Sequence, residues 1–207
     1  MLRRFAPTFA VAAIVLAACG GQFTAPAAVV NGSTITVERL KREVEAGLAI
    51  SGSPSSPEAT ADYSRQALAF LIRFEVAAGF ARGNGISVSG DEVDAQLALL
   101  AGPFGGMEAF RQALAGRNIP LDVVRENAEM ALLLDKVSQT VFEASGSASP
   151  TTGSARPFGG TPEEQAAFQK WLGDRIVAAE IDVNPRYGRL DRSNGSIVPI
   201  ASTADLG

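Results

Sequence analysis

The spacing of apolar residues predicts a mainly helical protein organised around one long helix at residues 57–82. Ser56 and Pro57 suit its cap and its first position, and glycines at 83 and 85 end it. Its apolar residues recur at three- and four-residue steps and extend beyond a single stripe, so we expect other helices to pack on several of its sides. The apolar positions are Tyr63, Ala67, Leu68, Phe70, Leu71, Ile72, Phe74, Val76, Ala77, Ala78 and Ala81.

The rest of the chain predicts five more helices from the same periodicity, and a small β patch from other signals. Asn31-Gly32 is a strong signal for a hairpin between residues 27–30 and 33–35. Residues 181–183 alternate like a strand, and we expect them to join the hairpin in a patch of two or three strands. The further helices are predicted at residues 37–48, 91–100, 107–114, 121–143 and 162–179. The last of them has Thr161 and Glu164 as a capping box at its start, and its inner face carries Phe168, Trp171, Leu172, Ile176 and Ala179.

The first 18 residues have the pattern of a leader. Two arginines precede an apolar run that is too short to span a bilayer. Leu16-Ala17-Ala18-Cys19-Gly20 then matches the bacterial lipobox, and Cys19 is the only cysteine of the chain. We therefore expect diacylglycerol on Cys19 and an anchor in the membrane. The alternative is an ordinary secretory leader followed by an incidental cysteine.

Composition divides the rest of the chain. We expect a lipidated tether at 19–26, a helical domain at 27–144 and a flexible Gly-, Ser- and Pro-rich linker at 145–160. The helix and strand at 161–184 should return to the same domain. Residues 185–207, with only scattered apolar positions, are predicted to form a loosely ordered tail.

Three stretches resemble one family. The run 71–93 contains Gly85, Ile86, Val88, Ser89 and Glu92, and resembles the turn that ends the long helix in the amino-terminal domain of SurA-type extracytoplasmic chaperones. Residues 28–36 are similar to that family's A-x-V-N-G-x-x-I-T opening. Residues 183–188 resemble the ending of SurA-like lipoproteins that lack an isomerase module.

The resemblance implies a multi-helix domain with a small β patch that binds unfolded polypeptides. In the family the last helix and strand return to the amino-terminal domain after inserted isomerase modules. Here the insertion point is spanned by the linker alone, and the characteristic histidines of the parvulin-type module are absent. Isomerase activity is therefore not expected.

Composition also argues against several other functions. The chain of 207 residues has a formal charge of −4 and no histidine, which disfavours nucleic-acid binding and excludes imidazole bases and ligands. It lacks a P-loop and a nucleophile elbow. We therefore expect no enzyme activity, no cofactor, no metal site, no nucleic acid and no nucleotide.

Two groups of residues could be functional or structural. Phe104, Met107 and Phe110 follow or flank a Gly-rich break, so they either fill the core or form a flexible apolar lip that grips unfolded chains. Glu75, inside the long helix, is either a solvated wedge or the partner of an arginine across a helix contact. The sequence leaves both choices open.

The favoured function is to hold unfolded or newly secreted polypeptides at the outer face of the cytoplasmic membrane. The alternative is a lipoprotein adaptor, in which the same apolar cleft binds one fixed partner of the cell envelope. Promiscuity separates the two, because a chaperone binds many unrelated unfolded chains.

Overall fold

The structure is a computed structural model that describes residues 25–52, 56–146 and 158–200. The predicted leader, Cys19, most of the predicted tether and the interior of the predicted linker lie outside these residues. The helices are α1 (Val37–Ser51), α2 (Pro57–Gly83), α3 (Gly90–Ala101), α4 (Met107–Ala115), α5 (Leu121–Ala144) and α6 (Pro162–Ala178), with a 3-10 turn at Gly102–Phe104. The strands are β1 (Ala28–Val30), β2 (Ser33–Ile35), β3 (Ile181–Val183), β4 (Arg189–Asp191) and β5 (Ser196–Val198).

The main core surrounds α2, as its apolar circumference predicts. Leu68, Leu71 and Ile72 of α2 are fully enclosed, and α1, α5 and α6 all pack against this helix. Phe168 and Leu172 bring α6 into the same cluster. The long helix therefore has the several neighbours that its sequence requires.

The two ends of the domain meet in an antiparallel sheet with the strand order β2-β1-β3. Asn31 and Gly32 form the β1–β2 turn with φ angles of 47° and 82°, the left-handed conformations that this dipeptide favours. The Asn31 side chain also accepts a hydrogen bond of 2.9 Å from the amide of Glu180. The predicted fold, mainly helical with a small β patch that joins the hairpin to 181–183, is confirmed.

The prediction of a loosely ordered tail is wrong for residues 185–200. Strands β4 and β5 form a hairpin, and its Ile197 is buried in the main core. Arg192 donates hydrogen bonds to three carbonyl oxygens at the end of α6, including that of Ala179 at 3.0 Å. Burial of Ile197 and this side-chain cap of α6 give the segment tertiary contacts that its composition did not suggest.

Residues 158–160 lead into α6 beside α5. The backbone N–H of Gly159 donates to Asp135 Oδ1 at 2.8 Å, and Thr161 with Glu164 forms the predicted capping box. The flexible linker predicted at 145–160 otherwise lies mainly outside the described residues.

Candidate functional site

The lip residues Phe104, Met107 and Phe110 lie together but differ in exposure. Phe104 is 49% exposed, whereas Phe110 is only 5% exposed, and their ring centroids are 5.1 Å apart. Met107 packs on a small cluster formed by α3 and α5. Phe110 therefore belongs to the interior, and Phe104 is the member of the predicted lip that presents its ring to solvent.

The backbone explains this arrangement. Gly105 and Gly106 have φ angles of 90° and 113°, which residues with a Cβ atom rarely adopt. The chain reverses there, so that α4 packs back against α3 and places Phe110 beneath Phe104. The glycines that suggested flexibility in the sequence serve a tight turn.

A second apolar surface, which we call the aromatic groove, lies where α2 ends between α5 and α6. It is an open cavity of about 420 Å³. Phe80 comes from α2, Val141 and Ala144 from α5, and Trp171 from α6. The remaining lining residues are Ser145, Ala167, Lys170, Asp174 and Arg175.

Two aromatic rings and one guanidinium line the aromatic groove, and a third ring, that of Phe168, lies behind one of them. Phe80 meets Trp171 edge to face, with centroids 4.9 Å apart, and Trp171 stacks on Phe168 at 5.7 Å. Arg175 lies over both Phe80, at 5.7 Å, and Trp171, at 5.5 Å. Trp171 was predicted to face the core, and it does pack on it, but its ring is only half-buried and also lines the groove.

The two cations of the groove differ in their partners. Lys170 Nζ lies 2.8 Å from Asp174 Oδ2, and this hydrogen bond raises the pKa of Lys170. Arg175 makes no ion pair and no side-chain hydrogen bond with any residue that the structure describes, and its guanidinium lies over the two rings. Its N–H groups are therefore available to an incoming acceptor.

A polar cavity of about 500 Å³ adjoins the aromatic groove. Phe80 and Arg175 line both cavities, so the two cavities adjoin at these side chains. On the polar side lie Asn31 of the hairpin turn and Asn84 at the end of α2. An extended ligand could cross the junction from an apolar to a polar environment.

Glu75 is the partner of an arginine, the second of the two alternatives. Arg39 Nη1 of α1 lies 2.6 Å from Glu75 Oε1 of α2, and Arg39 Nε lies 3.2 Å from Glu126 Oε1 of α5. The same guanidinium sits over the Phe74 ring at 5.4 Å and approaches the sulfur of Met130 at 3.5 Å. One arginine thus ties three helices together.

Sequence reasoning missed Phe80 and Arg175. The helical period of α6 indicated that Trp171 faces inward, but it could not identify its neighbour on α2, 91 positions earlier. The one available signal was a basic residue in the last turn of α6, which is usually explained by the helix dipole alone.

The part of the chain that the structure describes contains neither a candidate metal cluster nor a candidate membrane-spanning helix. Across 25–52, 56–146 and 158–200, no group of three or more His, Cys, Asp or Glu side chains is placed to hold a metal ion. In the same residues no helix is both long enough and apolar enough to cross a membrane. What the surface does offer is apolar cavities that open to solvent.

The structure is a helical domain with open cavities, in which the hairpin of β1 and β2 forms one sheet with β3. The chain belongs to the SurA-like N-terminal domain family, whose model matches residues 5–138. The match ends within α5, and α6 with β3 completes the same body. No curated protein matches the sequence. Membership assigns the chain a SurA-related role in an extracytoplasmic family whose domains typically bind polypeptide clients.

Proposed function

We propose that the protein is a membrane-anchored, chaperone-like member of this family that holds unfolded or newly secreted polypeptides. It acts without prolyl isomerisation, without nucleotide and without any enzymatic step, at the outer face of the cytoplasmic membrane. The observation that supports this most is the open aromatic groove on a domain whose family binds polypeptides.

The groove suits segments that have not yet folded. Phe80 and Trp171 are half-buried, so an apolar client side chain can cover their remaining exposed surface and gain the free energy of desolvation. The exposed ring of Phe104 offers a second contact at another place on the domain. Such contacts depend on apolar area more than on sequence, which fits a holding activity.

The test is an aggregation assay with residues 19–207 carrying Cys19→Ser, which retain every described element. We expect near-stoichiometric amounts to slow the aggregation of several unrelated unfolded proteins without nucleotide. Trp171→Ala and Phe104→Ser then separate the contribution of the groove from that of the lip. Val177→Ser is the matched control, because Val177 is 60% exposed on the same helix as Trp171 but does not line the groove.

Failure to protect any of several clients would contradict the holding function. Recovery of one stoichiometric envelope protein by crosslinking in cells, together with that failure, would instead identify a dedicated adaptor.

The anchor is tested separately, since Cys19 lies outside the described residues. Lipidation of Cys19 predicts that Cys19→Ser releases the protein from the membrane fraction or leaves the leader uncleaved. Normal cleavage with normal membrane retention in that variant would contradict the anchor.

A further inference from the structure

We propose that the aromatic groove selects polypeptide segments in which a large apolar side chain lies next to an aspartate or glutamate. The apolar side chain covers Phe80 and Trp171, and Arg175 pairs with the carboxylate. This inference rests on the proposed function, since it names the class of segment that the same groove binds.

The position of Arg175 is the first argument. Its guanidinium lies over two rings, at 5.7 Å from Phe80 and 5.5 Å from Trp171. A guanidinium stacked on aromatic faces keeps its N–H edge free for a planar acceptor, and a carboxylate matches the spacing of that edge. The rings therefore hold Arg175 in place without using its hydrogen-bond donors.

The absence of a competing acid is the second argument. The other cation of the groove, Lys170, is already paired with Asp174 at 2.8 Å, and Lys136 of α5 is paired with Glu92 at 2.6 Å. Within the described residues Arg175 has no such partner, although it is exposed and accessible. A ligand carboxylate can pair with it without displacing an internal one.

The position of Arg175 between two adjoining cavities is the third argument. Arg175 and Phe80 line both the apolar cavity of about 420 Å³ and the polar cavity of about 500 Å³. An extended chain advances roughly 3.3 Å per residue, so a side chain seated against Trp171 brings the next one or two residues level with Arg175. The surface continues past that point toward Asn31 and Asn84, which favours an internal segment over a chain end.

The charge of the whole protein favours a polypeptide over an anionic membrane surface. With a formal charge of −4, the chain as a whole repels extended anionic surfaces. Arg175, which has no ion pair within the described residues and lies beside an apolar wall, is complementary to one carboxylate and not to a field of them.

The experiment uses Trp171 as its own reporter, because it is the sole tryptophan of the chain. Two acetylated and amidated peptides without tryptophan, identical except for Phe-Asp or Phe-Asn at the centre, are titrated into residues 19–207 carrying Cys19→Ser. We expect both to change the Trp171 emission, with the aspartate peptide bound about tenfold more tightly, as a charge-assisted hydrogen bond implies. Added salt should reduce the difference.

Variants at Arg175 test whether this residue causes the tighter binding of the aspartate peptide. Arg175→Gln should remove the tenfold preference, and Arg175→Lys should keep part of it because the charge stays while the planar fork is lost. Arg186→Gln is the matched control, since Arg186 also lies over a ring, that of Tyr187 at 5.1 Å, outside the groove. Thermal melting of each variant shows whether the helix end is intact; a preference that survives in folded Arg175→Gln overturns the proposal.

The remaining outcomes distinguish this inference from the proposed function. Equal binding of both peptides overturns the carboxylate preference and leaves the holding function standing. No binding of either peptide, with aggregation still suppressed, overturns the groove as the site. Binding only of peptides with a free carboxyl terminus, or a Trp171 response only to phosphatidylglycerol vesicles, overturns the choice of an internal peptide segment.

Discussion

The domain has two regions that are built in different ways. The central body joins α1, α2, α5 and α6 with the sheet, and its core draws on residues from β1 to β5. The unit formed by α3, the 3-10 turn and α4 is local in sequence and rests on α5 through a much smaller cluster, in which the buried members are Val93, Leu97 and Ala128.

The two regions depend on contacts of different range along the chain. The body is completed only when the chain returns after the linker, whereas α3 and α4 find each other within 26 residues, 90–115. The smaller unit also exposes large apolar side chains to solvent: Leu99 is 73% exposed and Phe104 is 49% exposed. We expect the body to determine stability and the unit to tolerate change at its surface.

The largest expected effect is the loss of the returning segment. Ending the chain after Gly160 removes α6, β3 and the β4–β5 hairpin, and therefore uncovers the core side of α2. We expect this truncated chain to lack a cooperative thermal transition, measured by circular dichroism. The control ends after Ile200, which keeps every described element and should melt like the intact chain.

Cooperative melting of the shorter chain at the temperature of the intact one would contradict this. Residues 162–179 would then be an independent appendage, and the body would be complete without them.

How much of this body follows from the sequence depends on the range of the interactions. The limits of α2 and α5 were predicted to within a residue or so, because caps, Pro57 and the apolar period are local signals. The hairpin at Asn31-Gly32 is equally local. Asn194-Gly195 carries the same dipeptide, yet its hairpin was missed because its strands are only three residues long and half polar, and because the buried contact of Ile197 comes from distant helices.

The next largest effect on stability distinguishes the buried Phe110 from the half-exposed Phe104 in the smaller unit. Phe110→Ala should lower the free energy of unfolding by about 3–5 kcal/mol, the usual result of emptying a buried aromatic site. Phe104→Ala should change it by less than about 1 kcal/mol, because Phe104 is half-exposed. Urea unfolding of both variants measures the difference.

A similar loss in both variants would place Phe104 in the interior and leave the unit without an exposed lip. The comparison also explains why the three lip residues should not be replaced together: loss of the Phe110 site would obscure any effect on binding. Only the Phe104 variant tests that surface alone.

A smaller effect is expected at the contact of α1, α2 and α5. Glu75→Gln leaves Arg39, which is 20% exposed in its side chain, with Glu126 as its remaining carboxylate. We expect a loss of about 1–3 kcal/mol in urea unfolding, below the cost of opening a fully buried pair because water reaches the site. Glu45→Gln is the control, since its pair with Lys41 is exposed and should contribute less than about 1 kcal/mol.

The candidate site was less predictable than the fold for the same physical reason. A helical period indicates which face of α6 is apolar, and so predicted Trp171 at the core, but ring geometry depends on the crossing of α2 and α6. Glu75 was recognised as unusual, and only the fold could supply Arg39 as its partner. Arg175 gave no sequence signal beyond its charge, because its role depends on Phe80.

The smallest effect concerns the attachment of the smaller unit to the body. Glu92 at the start of α3 accepts a hydrogen bond from Lys136 of α5 and another from the Ser89 backbone, and these bonds lower its pKa from 4.5 to about 2. A carboxylate whose pKa is lower in the folded state stabilises the fold fully at pH values above its unfolded pKa. This contribution to stability is lost as the pH falls from 4.5 toward 2.

Glu92→Gln keeps a capping side chain but removes the charge. The Tm of the variant should therefore lie slightly below that of the wild type at pH 7, and the gap should narrow as the pH falls through this window. Glu108→Gln, which alters an exposed pair within α4, controls for the general loss of one charge, and a gap for Glu92→Gln that stays constant with pH would rule out ionisation of Glu92 as the link between the two regions.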